Sequence, residues 1–205
     1  MDKLIRQAGS QSQAGQESFV LNMTGWKKDG YYVEIGAFDP WKDSNTFNLE
    51  TEYNWKGFGV EILPECVENF KTRNNPCIAA DAMTLNYSEL FKTYNAPKQI
   101  DYLQLDVEPA ENTLKVLQAM PLGEYRFSVI TFEHDLYDNN WPDNHKHKNT
   151  AKNILESYGY KLVAENINHG ENKPFEDWYI DPIVINESIW SLAVCNNIDG
   201  NSLFE

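Results

Sequence analysis

Five short apolar runs constrain this chain more than anything else in its sequence. Each carries an acidic residue, and helical spacing separates each run from the next. The runs are YYVEIGAF (31–38), GFGVEIL (57–63), CIAADAM (77–83), IDYLQLDV (100–107) and YRFSVITFEHD (125–135). The helix candidates are the polar segment Ser44 to Asn54, PECVENFKTRN from Pro64, SELFKTYNA, ENTLKVLQAM and HKNTAKNILESYGY. Pro64 suits a first helical position, where its missing N–H has no intrahelical partner to lose. Strands joined by helical crossovers predict a parallel sheet covered on both faces. Two later runs, KLVAENI (161–167) and DWYIDPIVI (177–185), lie close in sequence and predict an antiparallel pair.

The rest of the organisation is simpler. Residues 1–16 read as a flexible or loosely docked lead-in. Glu17 to Lys28 is a short amphipathic helix candidate carrying Phe19, Val20, Met23 and Trp26. Residues 17–205 form one domain, a size that buries a core without staples. The polar stretch Tyr137 to Asn149 is the best candidate for a mobile loop. Cys66, Cys77 and Cys195 are far apart, show no CxxC spacing and read as free thiols. The N-terminus lacks the apolar core of a signal peptide, and no stretch is apolar enough to span a membrane, so a cytoplasmic location is expected.

Charge narrows the partners. The net charge is -14 with dispersed acids. Such a surface repels free nucleic acid, and Lys146 and Lys148 are the only hint of a basic patch. A small neutral or sugar substrate fits better. The oligomeric state is not readable.

In an open parallel sheet, ligands bind beyond the carboxyl ends of the strands. Those ends deliver Glu34, Gly36 and Asp39, then Glu61, then Asp81, then Asp106 and Glu108, then Glu133, His134 and Asp135. Acids inside apolar runs are costly unless they have a task. Gly36 permits close backbone approach to a ligand. Glu61, at the end of the next strand, is placed to grip ribose hydroxyls. Asp81 is placed to accept from an adenine amino group. A helix beginning near Ser44 would aim N–H groups at a ligand carboxylate. EIGAFDP holds one glycine, so the GxGxxG fingerprint of dinucleotide sites is missing, and no P-loop replaces it. A nucleoside without a pyrophosphate is therefore favoured, and a nicotinamide dehydrogenase is disfavoured.

Several motifs in order resemble the FkbM family of methyltransferases. They are SQAGQESFVL, GYYVEIGAFDPWKDSNT, EYNWKGFGVEILPE, DYLQLDVEPAE, VITFEHD and EDWYI, spread over roughly residues 10 to 180. The resemblance implies an α/β, class I Rossmann-like methyltransferase fold. Its mostly parallel sheet has seven strands, the last antiparallel, with helices on both faces. It also implies S-adenosylmethionine as cofactor and O-methylation of a sugar, glycan or natural product. By that resemblance Glu34, Gly36, Ala37 and Asp39 surround the methionine moiety, with Ser44 and Asn45 at the adjoining helix start. Glu61 and Ile62 meet the ribose side, Asp81 and Ala82 the adenine, and Asp106 the cofactor from strand four. Two departures stand out: Phe38 interrupts the family's Gly-Ala-Asp, and Pro109 replaces glycine in DVEPAE, stiffening the turn and removing an N–H.

For the chemistry, Glu108 is the candidate base, with Asp106 and His134 beside it. Asp106, Glu133 and His134 are a candidate site for Mg²⁺ or Mn²⁺, which would lower a hydroxyl's pKa. The rival reading gives the same residues base and hydrogen-bond roles without metal. His145 and His147 read as solvated histidines, or else as part of a lid over the substrate. Trp178 and Tyr179 read equally well as acceptor-pocket walls or core aromatics. Trp26, Trp41, Trp55, Trp141 and Trp190 read as packing or rim residues. Two alternatives remain: an amine, protein or RNA acceptor on the same fold, and a binding or assembly protein that has lost catalysis.

Overall fold

The computed structural model describes residues 3–170 and 172–205. Its elements follow the alternation read in the sequence. They are α1 (Gln16–Met23), β1 (Tyr31–Ile35), α2 (Phe47–Thr51), β2 (Lys56–Glu61), α3 (Pro64–Asn69), β3 (Cys77–Ala79), α4 (Tyr87–Thr93) and β4 (Gln99–Leu105). Then come α5 (Ala110–Ala119), β5 (Arg126–Glu133), α6 (Asn144–Ser157), β6 (Lys161–Ile167), β7 (Glu176–Ile180), α7 (Glu187–Trp190) and β8 (Cys195–Asn196).

All eight strands join one sheet in the order β3-β2-β1-β4-β5-β7-β6-β8. Strands β1 to β5 pair in parallel, and β7 runs antiparallel between β5 and β6. One short strand exceeds the expected seven: β8, which pairs in parallel with β6. Two residues are too few to show a period in sequence.

The register explains the two cores. Tyr32, Tyr102, Val129 and Ile180 stand in one row across four strands, and Val33, Leu103, Ile130 and Tyr179 in the next. Successive residues point to opposite faces. The first row joins Phe19, Val20 and Leu21 of α1, and the second joins Phe91 of α4, Leu117 of α5 and Leu155 of α6. Helices therefore cover both faces, as such buried parallel strands require.

Three expectations need correction. Of the lead-in, expected to be flexible or loosely docked, residues 3–16 are docked, with Leu4, Gln7 and Ala14 buried. The backbone N–H groups of Ile5 and Gln7 donate to Asn22 Oδ1 and Ser18 Oγ of α1, both at 3.0 Å. The first helix ends at Met23 rather than Lys28, because Gly25 and Trp26 take positive φ. Half of the expected loop at Tyr137–Asn149 is helical, since α6 already starts at Asn144.

Trp178 and Tyr179 are fully buried core aromatics on β7, not acceptor-pocket walls. The three cysteines are free. No helix among the described residues is long and apolar enough to cross a membrane.

Candidate functional site

A crevice of about 580 Å³ opens at the carboxyl ends of β1 to β5. Its size lies within the usual range for a small-molecule site. It gathers most of the residues read from the sequence: Glu34, Gly36, Ala37, Asp39, Asn45, Glu61, Ile62, Asp81, Ala82, Asp106, Glu108 and Glu133 all line it. Ser44 and His134 are buried but do not line it.

The turn after β1 is forced to be glycine. Gly36 has φ +83°, and a Cβ there would sit 1.6 Å from the carbonyl oxygen of Asp106. Backbone packing this tight brings the ends of β1 and β4 together and leaves the cleft above them. Phe38, the extra residue in GAFD, takes φ +44° and turns outward, 60% exposed.

Glu61 holds that turn from β2. Its Oε2 accepts from the Phe38 N–H at 2.8 Å, and its Oε1 accepts from Ile62 and Leu63 N–H at 2.7 and 2.8 Å. A carboxylate has about four acceptor positions, so one remains for a ligand hydroxyl. Asp81 is not on a strand, because β3 stops at Ala79. It caps the next turn, accepting from the Met83 N–H at 2.9 Å. Asp39 accepts from Trp41 and Lys42 N–H, both at 2.8 Å.

The helix expected at Ser44 begins at Phe47 and is five residues long. In its first turn the Asn48 N–H is taken by Glu17 Oε1 at 2.6 Å and is not available to a ligand. Ser44 instead serves Arg73, whose Nη1 donates to Ser44 Oγ at 3.3 Å and to the Pro40 carbonyl at 2.9 Å. Arg73 is buried and paired with Glu50 at 2.9 Å. It clamps the 40–46 segment, which walls the crevice.

On the side of the sheet facing α1, Glu34 and Gln104 are register partners, followed by Thr131 on β5. Glu34 accepts from Thr46 Oγ1 at 2.7 Å. Burial pushes its pKa up to about 7, against the opposing pull of Arg73. Glu176 is also pushed up to about 7 by burial, and it accepts from Trp178 Nε1 and Gln16 Nε2. Gln13 and Gln16 complete this wall from the segment read as a lead-in. Two buried acceptors in the lining, Asn45 Oδ1 and Gln104 Oε1, have no hydrogen-bond partner. Buried polar atoms are normally satisfied, so these two mark where ligand donors belong.

The β4–β5 end differs. No hydrogen bond among the described residues holds the carboxyls of Asp106, Glu108 or Glu133. Burial raises the Asp106 pKa well above the carboxylate range, and Glu176, Asp135, Glu108 and Glu34 add to the rise.

His134 does not join them. Its Nδ1 accepts from the Leu136 N–H at 3.2 Å, so the proton sits on Nε2, which faces Asp177 Oδ1 at 3.3 Å. A ring engaged on both sides and fully buried is neither ligand nor catalyst. The expected Asp106, Glu133 and His134 metal set therefore does not assemble, and no cluster of three metal-ligating residues exists among the described residues. His145 is exposed and bonds the Pro142 carbonyl. His147 is partly buried, in the first turns of α6.

Charge is lopsided throughout. Among the described residues the lining holds eight carboxylates, Lys42 being the one cation. Lined with one sign of charge, the cleft concentrates ions of the other sign. It favours a cationic ligand over a pyrophosphate.

Sequence reading missed Gln13, Gln16, Gln104, Arg73 and Glu176. A polar residue inside an apolar run was the available signal for Gln104, whereas Glu176 stands just ahead of the run 177–185. Arg73, Gln13 and Gln16 carry no local signal.

No protein-family model matches the chain, and no curated protein does. Solved structures match its architecture. CalS10, an amino pentose methyltransferase from Micromonospora echinaspora, is 7% identical, with 82% of this chain and 89% of that chain covered at a TM-score of 0.51. A protein from Clostridium thermocellum assigned as an rRNA-methylase is 14% identical, covering 76% and 89% at 0.52. The delta-N METTL16 MTase domain is 13% identical, covering 82% and 80% at 0.51. At these identities the likeness is one of fold: the chain has the α/β architecture of S-adenosylmethionine-dependent methyltransferases.

Proposed function

We propose that this protein is an S-adenosylmethionine-dependent O-methyltransferase of the FkbM kind, acting on a hydroxyl of a sugar, glycan or natural product. One observation carries the reading: a glycine-turned crevice at the strand ends lined by eight carboxylates and Lys42. A sulfonium nucleoside with an ammonium group suits that field, whereas a dinucleotide does not.

In this reading Glu61 keeps its free acceptor position for the ribose. Ile62 and Met83, apolar yet 62% and 41% exposed, flank the adenine. Asn45 Oδ1 and Gln104 Oε1 accept from the ammonium end. Asp106 faces the sulfonium. When bound, S-adenosylmethionine supplies an activated methyl group on a good leaving group. Glu108, exposed and unbonded at the mouth, takes the proton of the attacking hydroxyl. Pro109 caps α5 where no helical N–H is required of it, so its replacement of glycine leaves the site open. Asp106 and Glu133 line the crevice without His134 beside them, and this reading assigns no step to a cation.

The fold does not choose the acceptor, since the similar structures are named for an amino pentose and for rRNA. The net charge of -14 argues against free nucleic acid. Calorimetry with S-adenosylhomocysteine tests the reading. Micromolar binding is expected, and no binding at millimolar ligand would remove it.

A further inference from the structure

A second, smaller cavity of about 270 Å³ lies where the first turns of α5 and α6 meet. Pro109, Glu111, Trp141, Asp143 and His147 line it. It adjoins the crevice through the chain itself: Glu108 and Asn112 line the crevice, while Pro109 and Glu111 line the cavity. We infer that this cavity is the acceptor subsite and that it is built for an uncharged saccharide ring. The inference rests on the methyltransferase reading.

Three features select that occupant. Trp141 is 50% exposed, although its side chain would bury a large apolar area elsewhere. An exposed indole beside a cavity is a platform for the apolar face of a ring. His147 Nδ1 is buried with no hydrogen-bond partner. A buried orphan atom inside a cavity calls for a ligand donor or acceptor. Glu111 and Asp143 in the lining keep acceptor positions, beside their lysine contacts, for hydrogen bonds from ligand hydroxyls.

The lining disfavours phosphorylated acceptors, since among the described residues it holds Glu111 and Asp143 and no lysine or arginine. Lys115 Nζ is held by Glu111 at 2.8 Å, and Lys146 Nζ by Asp143 at 2.5 Å. With both lysines engaged and Glu108 at the boundary, a nucleotide sugar would bring its phosphates against carboxylates. A neutral ring brings hydroxyls only.

The test uses saturation-transfer NMR on the full chain loaded with S-adenosylhomocysteine. The probes are methyl glucoside, methyl galactoside, methyl rhamnoside and UDP-glucose. Signal transfer to the ring protons of at least one methyl glycoside is expected, with none to UDP-glucose. Trp141→Ala should weaken glycoside binding about tenfold while Trp141→Phe restores most of it. His147→Ala should weaken it less. All three variants should keep the wild-type affinity for S-adenosylhomocysteine, which shows that they fold. Glycoside binding unchanged in Trp141→Ala, or UDP-glucose bound as well as a glycoside, would overturn the subsite. Cofactor binding with no glycoside signal would overturn it while leaving the methyltransferase reading intact. Failure to bind S-adenosylhomocysteine would take both down.

Discussion

The two halves of the crevice use carboxylates in opposite ways. Below β1 to β3, Asp39, Glu61 and Asp81 accept from six backbone N–H groups between them. Below β4 and β5, Asp106, Glu108 and Glu133 accept from none. A tied carboxylate shapes the loop around it and keeps little capacity for chemistry. A free one retains its full capacity but must be tolerated in a partly dry site. On the proposed methyltransferase reading, the first half is a mould and the second is where protons move. Substitutions in the mould should lower stability and cofactor affinity together. Substitutions in the other half should separate turnover from both.

The largest effect is expected at the seam. In Gly36→Ala the new methyl would meet the Asp106 carbonyl, and the backbone would be strained by its positive φ. Destabilisation of roughly 4 kcal/mol or more is expected in urea titration, with loss of S-adenosylhomocysteine binding. Full affinity in this variant would show that the seam is looser than its geometry implies.

Glu61→Ala comes next. It strands three N–H groups, so a loss of about 3 kcal/mol is expected along with weaker cofactor binding. Glu108→Gln sharpens the contrast, because it should cut turnover about a hundredfold and leave cofactor affinity and melting temperature as they were. If Glu108→Gln and Glu61→Ala instead produce the same pattern, the division between halves fails.

The smallest effect is in pH. Burial pushes Glu34 and Glu176 each up to about 7 in the fold, against 4.5 for an ordinary glutamate. The native state thus holds more protons than the unfolded chain between those values. Their stability contribution is complete below about 4.5 and is lost as pH rises through about 7. The melting temperature should fall by on the order of 5 °C from pH 5.5 to 8.5. Glu34→Gln should flatten that slope. Cofactor affinity should rise over the same range, since a cation prefers the ionised form. A slope of opposite sign would mean that these acids are ionised in the empty crevice.

Much of the crevice lining was legible in the sequence because acids inside apolar runs are rare without a reason. Glu34, Glu61 and Asp106 were found in this way, and Gly36 was found from its place after the first run. His134 was misread for the same reason. It also sits at a strand end, but its ring turns to Asp177 on the neighbouring strand. No spacing within one strand reveals what a paired strand offers. Ser44 failed similarly, because its partner, Arg73, is 29 residues away in the sequence.

The amino-acid sequence alone determined the alternation of strands and helices, the rim on which the acids stand and the sign of the crevice's charge. Periodicity and composition are local properties, and side chains at strand ends inherit their direction from the strand. Only the tertiary structure decided that Gln13 and Gln16 join the crevice wall, that Glu61 and Asp81 are tied while Asp106 and Glu108 are free, and that His134 faces inward. Those outcomes depend on which buried N–H groups lack partners once distant segments meet, and hydrogen-bond satisfaction is settled only when the whole chain has packed.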